Sequence, residues 1–265
     1  AKPKRPKRTY KGTNPATPKL LDVKSVGRPD GATLYGVNLS NAPLTVNLEL
    51  TTRQNVGTNP QVPFVTTLGP KEKRALVKVS QRDYYQAWRF NFEYFYTFGS
   101  AKAQHDDSWV YSLPFEAGTS HPLLVTVAGN VPIYIFEMDE DTPVHCSRSG
   151  KVVYTESRYS QRSSESDAWL RTNRVVIRHD DGTLGTYNHL RPQGVAVRVG
   201  EWVDVGSVVG YSGQTGNCAG PMLSFQVFRG VDGKVVQSFP LQFITSDSDD
   251  ALYLEAGRSY TAVEN

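Results

Sequence analysis

The chain is poor in the features that usually announce a function. Its 265 residues hold only two cysteines, two methionines and five histidines. No stretch is long and apolar enough to cross a membrane as a helix, so no integral membrane segment of that kind is expected. There is no phosphate-cradling glycine loop and no Ser/His/Asp order, which sets aside nucleotide enzymes and serine hydrolases. Charged residues make up 21% and the formal net charge is +3, too modest for the whole chain to be a polyanion binder. Helical periodicity is missing except at Ser80–Ala87 and Ser164–Leu170, so a mainly helical fold is excluded.

What is present points to β-structure. Aromatic residues are plentiful, with 14 Tyr, 11 Phe and 4 Trp, and they supply large apolar surfaces for cores. The length suits two domains or one large β domain. Thr33–Leu39, Leu44–Leu50, Ala75–Val79 and Trp88–Tyr96 alternate apolar with polar residues, separated by turns rich in Asn, Gly and Pro. That alternation predicts a small antiparallel sandwich over 19–107, with the aromatics of Tyr94–Phe98 in its core. Residues 1–18 carry Lys2, Lys4, Arg5, Lys7, Arg8 and Lys11 interleaved with Pro3 and Pro6, a composition that predicts a disordered basic arm. Such an arm serves as a flexible leader left after signal cleavage or as an attachment to anionic polymers. Nothing else in the motifs points to nucleic acid as a partner.

The second half, 108–265, reads as a set of ordered β motifs. Asn173–Arg178 and Leu184–Leu190 are strands joined by a turn at Asp181-Gly182. Glu137–Val153 contains a Thr142-Pro143-Val144 turn, and Val195–Gly210 is a valine run punctuated by glycines where short strands reverse. His105-Asp106-Asp107 invites a metal reading, but consecutive residues on an extended segment point in opposite directions, so the cluster is a weak one. The run Gly213–Val227, with Gly220-Pro221-Met222-Leu223-Ser224-Phe225, is a Gly-rich loop entering an alternating strand.

In order and spacing these motifs, together with the "YxLPFxxG" of Tyr111–Gly118, resemble the LytM/lysostaphin-like (M23) zinc endopeptidases over Leu113 to Phe228. The resemblance implies a mainly β chain: an N-terminal antiparallel sandwich followed by an M23-like antiparallel sheet domain. It also implies where the chemistry should sit. Members carry His-x-His after Gly-Pro, and residues at i and i+2 of a strand share a face, so both imidazoles enter one cavity. Here the pair reads Met222 and Ser224, and neither a thioether nor a neutral hydroxyl suits hydrolytic zinc. The family's first ligand pair, a His and an Asp, aligns with Val131 and Ile135. His121 lies far upstream, and Asp139 and Asp141 belong to the turn itself.

His189 alone stands where the family places a catalytic histidine, within Tyr187-Asn188-His189-Leu190. One imidazole cannot replace a centre that needs three protein ligands and an open water position. The resemblance therefore implies no metal ligands, an absent zinc, and a retained groove lined by His189, Met222, Ser224 and Ile135. It also brings Cys146 and Cys218 near one another, so a disulfide and two free thiols both stay open.

The expected function is that of a pseudo-peptidase of the cell envelope, periplasmic or secreted. It would bind peptidoglycan or a partner protein through the groove and regulate wall hydrolysis by contact. Two alternatives are an active metallo-endopeptidase with non-standard ligands, and a structural or adhesion module led by the sandwich.

Overall fold

The computed structural model describes residues 19–128, 131–162 and 171–264. The basic segment 1–18 and the helical reading of Ser164–Leu170 lie outside the described residues. The chain divides into two compact units: 19–101 together with Gly230–Val236, and 102–229 together with 237–264.

The first unit is built from β1 (Leu21–Arg28), β2 (Gly31–Asn38), β3 (Leu44–Gln54), β4 (Val56–Asn59), β5 (Phe64–Leu68), β6 (Lys73–Gln81) and β7 (Arg89–Phe98). These form two antiparallel sheets, ordered β1-β2-β6-β4 and β5-β3-β7. Alternation explains the arrangement. Leu21 and Val23, Leu34, Val77 and Val79 from one sheet meet Leu44, Val46, Leu48, Phe90, Phe92 and Tyr94 from the other in one core. The segment Ser80–Ala87, read from its periodicity as helical, is instead the end of β6 and a turn, held by side-chain bonds to its backbone. Gly230–Val236 joins this unit, with Lys234 Nζ 2.5 Å from Glu49 and 4.5 Å from the Phe95 ring centre.

The second unit contains β8 (Val110–Ser112), β9 (Ser120–Ala128), β10 (Val131–Glu137), β11 (Pro143–His145), β12 (Gly150–Glu156), β13 (Asn173–Arg178) and β14 (Leu184–Val195). It continues with β15 (Trp202–Val203), β16 (Val208–Ser212), β17 (Met222–Gly230), β18 (Val236–Ser238), β19 (Gln242–Thr245), β20 (Ser248–Tyr253) and β21 (Ser259–Thr261). Its main sheet runs β15-β12-β13-β14-β17-β10-β9-β21, with β16 bridging β11 and β14. The turn between β13 and β14 is where Asp181-Gly182 predicts it, and Gly182 takes a φ of +84° that suits a residue without Cβ. On one face Val175, Tyr187, Phe225 and Tyr134 align across four strands into the core, where the Tyr187 and Phe225 rings pack tilted at 4.9 Å and Tyr134 meets Phe243 edge-on at 4.9 Å.

A polar clamp ties the unit's first segment to the β13–β14 turn. Arg148 Nη1 donates to Asp181 Oδ2 at 2.7 Å and to the Tyr111 hydroxyl at 3.1 Å, and its guanidinium lies 4.5 Å from the Trp109 ring centre. His105 pairs with Tyr111 through Nε2 at 3.0 Å and with Asp107 through Nδ1 at 2.8 Å, and its ring stacks on Phe239. His105 and Asp107 are two residues apart and so share a face. Burial pushes the Tyr111 hydroxyl up to about 12, so it stays a neutral link between imidazole and guanidinium.

Two substitutions test these contacts. Gly150 faces β13 so closely that an added Cβ would stand 2.5 Å from the Arg178 carbonyl oxygen. Gly150→Ala should therefore cost about 1–3 kcal/mol through overpacking, read as a lower urea midpoint at constant slope. Asp181→Ala leaves the buried Arg148 charge uncompensated and should cost about 3–5 kcal/mol by the same measurement.

Candidate functional site

The face of the main sheet opposite the aromatic core carries the cleft residues, because alternate residues of each strand point there. The pairing register sets one row across it: Glu156, Arg174, Asn188, Ser224 and Ile135, from β12, β13, β14, β17 and β10. Ile135 and Ser224 are direct partners, and Met222 lies opposite Glu137 one step along. Ser224 is 2% exposed and Met222 8%, whereas Ile135, Asn188 and His189 are half-buried. Asn188 Nδ2 donates to the Ser224 carbonyl at 3.4 Å, and Asn188 Oδ1 accepts from the Thr186 hydroxyl at 3.1 Å.

His189 leaves the ladder. Its φ of +68° is left-handed, unusual for a side chain with a Cβ, and it coincides with the irregular pairing of β14 near this end. Thr172 Oγ1 accepts the His189 backbone N–H at 3.0 Å. Nδ1 lies 2.9 Å from the Thr215 carbonyl, which can only accept, so Nδ1 carries the proton and Nε2 the lone pair. Burial lowers the imidazole below its ordinary value, the Thr215 bond opposes that, and the Arg174 charge reinforces it. His189 is thus a neutral imidazole pinned to the Gly-rich loop.

As a metal centre the set does not fit. Ile135 has no donor atom, Ser224 offers a neutral hydroxyl, and no three His, Cys, Asp or Glu side chains converge among the described residues. Asn188, Arg174 and Glu156 are the cleft residues that sequence motifs did not single out. Their signal was available, since strand alternation places each on the Ser224 face once the register is known. The Glu156 carboxylate is buried, accepts the backbone N–H groups of Ser157 and Arg158, and pairs with Arg158 at 3.2 Å. Arg174 spans the face toward the Tyr154 ring at 5.9 Å, and burial pulls its guanidinium below the ordinary value.

The two cysteines are not bridged. Cys146 is fully buried beside β11 and its thiol donates to the Arg148 carbonyl at 3.0 Å, while Cys218 bonds within its own loop to the Gln214 carbonyl at 3.1 Å. Of the two alternatives left open by the sequence, the structure has two free thiols, each with a local acceptor. Burial pushes Cys146 up to about 11, which keeps it protonated and unreactive. Of the other histidines, His145 Nδ1 lies 2.8 Å from the Gly206 carbonyl, and His179 is enclosed behind Gly185 with Nδ1 3.0 Å from the Ser149 carbonyl.

With this geometry in view, comparison with known proteins gives three results. Residues 134–238 match the model of peptidase family M23. The chain is 28% identical over 168 residues to lysostaphin of Staphylococcus staphylolyticus, covering 63% of this chain and 32% of that protein. It is 32% identical over 123 residues to peptidoglycan DD-endopeptidase ShyA of Vibrio cholerae serotype O1, covering 46% and 25%. The catalytic domain of lysostaphin from Staphylococcus simulans aligns over 47% of this chain and 88% of that one, at 24% identity and a TM-score of 0.33. The chain thus spans about a third or less of the length of these curated relatives.

Acid stability follows from the enclosed imidazoles. Burial holds His179 down at about 4, with Arg148 and His105 adding to the depression against the Ser149 bond and the Asp181 charge. The unfolded chain takes up that proton near the ordinary value of about 6.5, so it binds more protons between the two values. Stability is therefore complete above about pH 6.5 and falls toward pH 4, by about 3 kcal/mol from this group. Urea midpoints measured from pH 7 to pH 4 should drop, and His179→Gln should flatten the slope.

Proposed function

We propose that the M23-like domain carried by this chain, matched over residues 134–238, is a pseudo-peptidase of the cell envelope that acts by binding. The observation that supports this reading is the row Ile135, Ser224, Asn188 and Arg174 across the sheet, in which the two positions that the resemblance aligns with metal ligands, Ile135 and Ser224, carry no zinc-binding side chain. That row offers a hydroxyl, an amide and a guanidinium beside one aliphatic side chain. Such groups recognise a peptide by hydrogen bonds and shape, and they do not generate a hydroxide nucleophile.

The related proteins include one named as a peptidoglycan endopeptidase, which makes wall peptides the first ligand to test and an envelope protein the second. In this reading the protein holds no zinc, works outside the cytoplasm, and modulates wall hydrolysis by occupying stem peptides or a partner hydrolase. Among the described residues no helix is long and apolar enough to cross a membrane.

Metal analysis of the purified full chain after mild dialysis should find zinc well below one per chain, and incubation with purified sacculi should release no peptide. A tightly held zinc whose chelation abolishes peptidoglycan cleavage would overturn the proposal. In sacculus sedimentation, Met222→Trp and His189→Trp should reduce the bound fraction, with thermal midpoints measured alongside to separate lost contact from lost folding. Binding unchanged in both folded variants would move the interface off this groove.

A further inference from the structure

Far from the cleft in sequence, the segment between β6 and β7 displays two tyrosines that support nothing in the fold. Tyr84 is 82% exposed and Tyr85 94%, and their rings meet each other edge-on at 6.0 Å. An idle exposed loop would not need a fixed backbone, yet this one is held from every side. Asn55 Nδ2 donates to the carbonyls of Asp83 at 2.7 Å and Gln86 at 2.9 Å, while Asn55 Oδ1 accepts the Asp83 N–H at 2.8 Å. Gln81 Nε2 donates to the carbonyls of Asp83 at 3.0 Å and Gln86 at 2.8 Å. The Asp83 carboxylate accepts the Tyr85 N–H at 2.9 Å on one oxygen and Gln86 Nε2 at 2.7 Å on the other. Asn55 itself is left-handed, with a φ of +51° at the turn between β3 and β4, a conformation that asparagine adopts readily.

The charge around the pair is mixed but in excess positive, with Arg82 and Arg89 against the one Asp83 carboxylate of the loop. Both oxygens of Asp83 are engaged by the loop's own donors, and Asp30, whose carbonyl receives the Gln81 N–H, has its carboxylate 4.0 Å from Arg28. Arg82 and Arg89 flank the tyrosines, are exposed, and form no ion pair among the described residues. Arg89 lies opposite Gln54, beside the Asn55 that holds the loop.

We propose that this tip is a docking surface for an acidic polysaccharide. Tyrosine rings offer flat apolar faces and a hydroxyl at low conformational cost, which suits stacking on sugar rings. Arginine guanidinium groups meet carboxylates in a planar, charge-assisted geometry. Holding the loop in place before binding removes the ordering cost that a mobile loop would bear. The surface is independent of the groove and does not depend on the reading of the M23-like domain.

The test uses the full chain in affinity electrophoresis and calorimetry with polygalacturonate, neutral dextran and polyglutamate. Polygalacturonate should bind and dextran should not. Tyr84→Ala with Tyr85→Ala should weaken polygalacturonate binding about tenfold or more without changing the unfolding midpoint. Arg82→Gln with Arg89→Gln should weaken it and flatten its salt dependence. The proposal fails if polygalacturonate does not bind, or if dextran binds as well. It also fails if the tyrosine variant binds as tightly as the parent, which would place the interaction on the basic residues of 1–18 or elsewhere. Equal affinity for polyglutamate would make the surface one for acidic protein and overturn it likewise.

Discussion

The register of β10 on β17 on β14 on β13 is the constraint from which both faces of the M23-like sheet follow. It aligns Tyr134, Phe225, Tyr187 and Val175 on the core side and Ile135, Ser224, Asn188 and Arg174 on the other. A slip of one residue on any strand would exchange the two sets, putting a guanidinium and amides into the aromatic core. The tilted packing of Tyr187 against Phe225 and the bond of the Tyr187 hydroxyl with the Ser147 N–H at 2.8 Å make that exchange costly. The composition of that face is therefore fixed by the aromatic core behind it.

That dependence shapes what could be read in the sequence. The strands β2, β3, β6 and β7 announce themselves, because half-buried strands must alternate and these do so with large apolar residues. The strands β4 and β5 do not, since Val56-Gly57-Thr58-Asn59 and Phe64-Val65-Thr66-Thr67-Leu68 are short and rich in threonine or turn formers. Ser80–Ala87 has helical spacing over barely two turns, and the Asn55, Gln81 and Asp83 amide and carboxylate bonds outweigh so weak a preference. Gly230–Val236 belongs to the first unit, where Gly233 lies close against Asn47 of β3 and Lys234 reaches Glu49 and Phe95. Those partners lie far away in sequence, and no local pattern encodes them.

Along the candidate row, single positions were legible in the sequence and their neighbours across the sheet were not. Met222, Ser224, His189 and Ile135 came from family motifs, which carry spacing along the chain. Asn188, Arg174 and Glu156 come from register across the sheet, which no motif along one strand records. The cysteines show the limit of positional analogy. Proximity within a fold does not bring two Cβ atoms to bonding distance and orientation, and Cys146 faces the Arg148 carbonyl in the core while Cys218 turns into its own loop.

A physical reason connects the absent ligands with the stability of what remains. A His and an Asp facing a second His in a partly buried cleft hold their charges favourably when a dication compensates them, and without it their desolvation is unrelieved. Ile135 and Ser224 carry no charge, and Asn188 satisfies its amide on Thr186 and on the Ser224 carbonyl. His189 is the one imidazole in the set, and it is the one whose Nδ1 proton already has an acceptor, at Thr215. Asn188 and His189 thus have acceptors or donors within the protein. The one cation on the row, Arg174, is provided for by Tyr154 and Glu156 on the neighbouring strand.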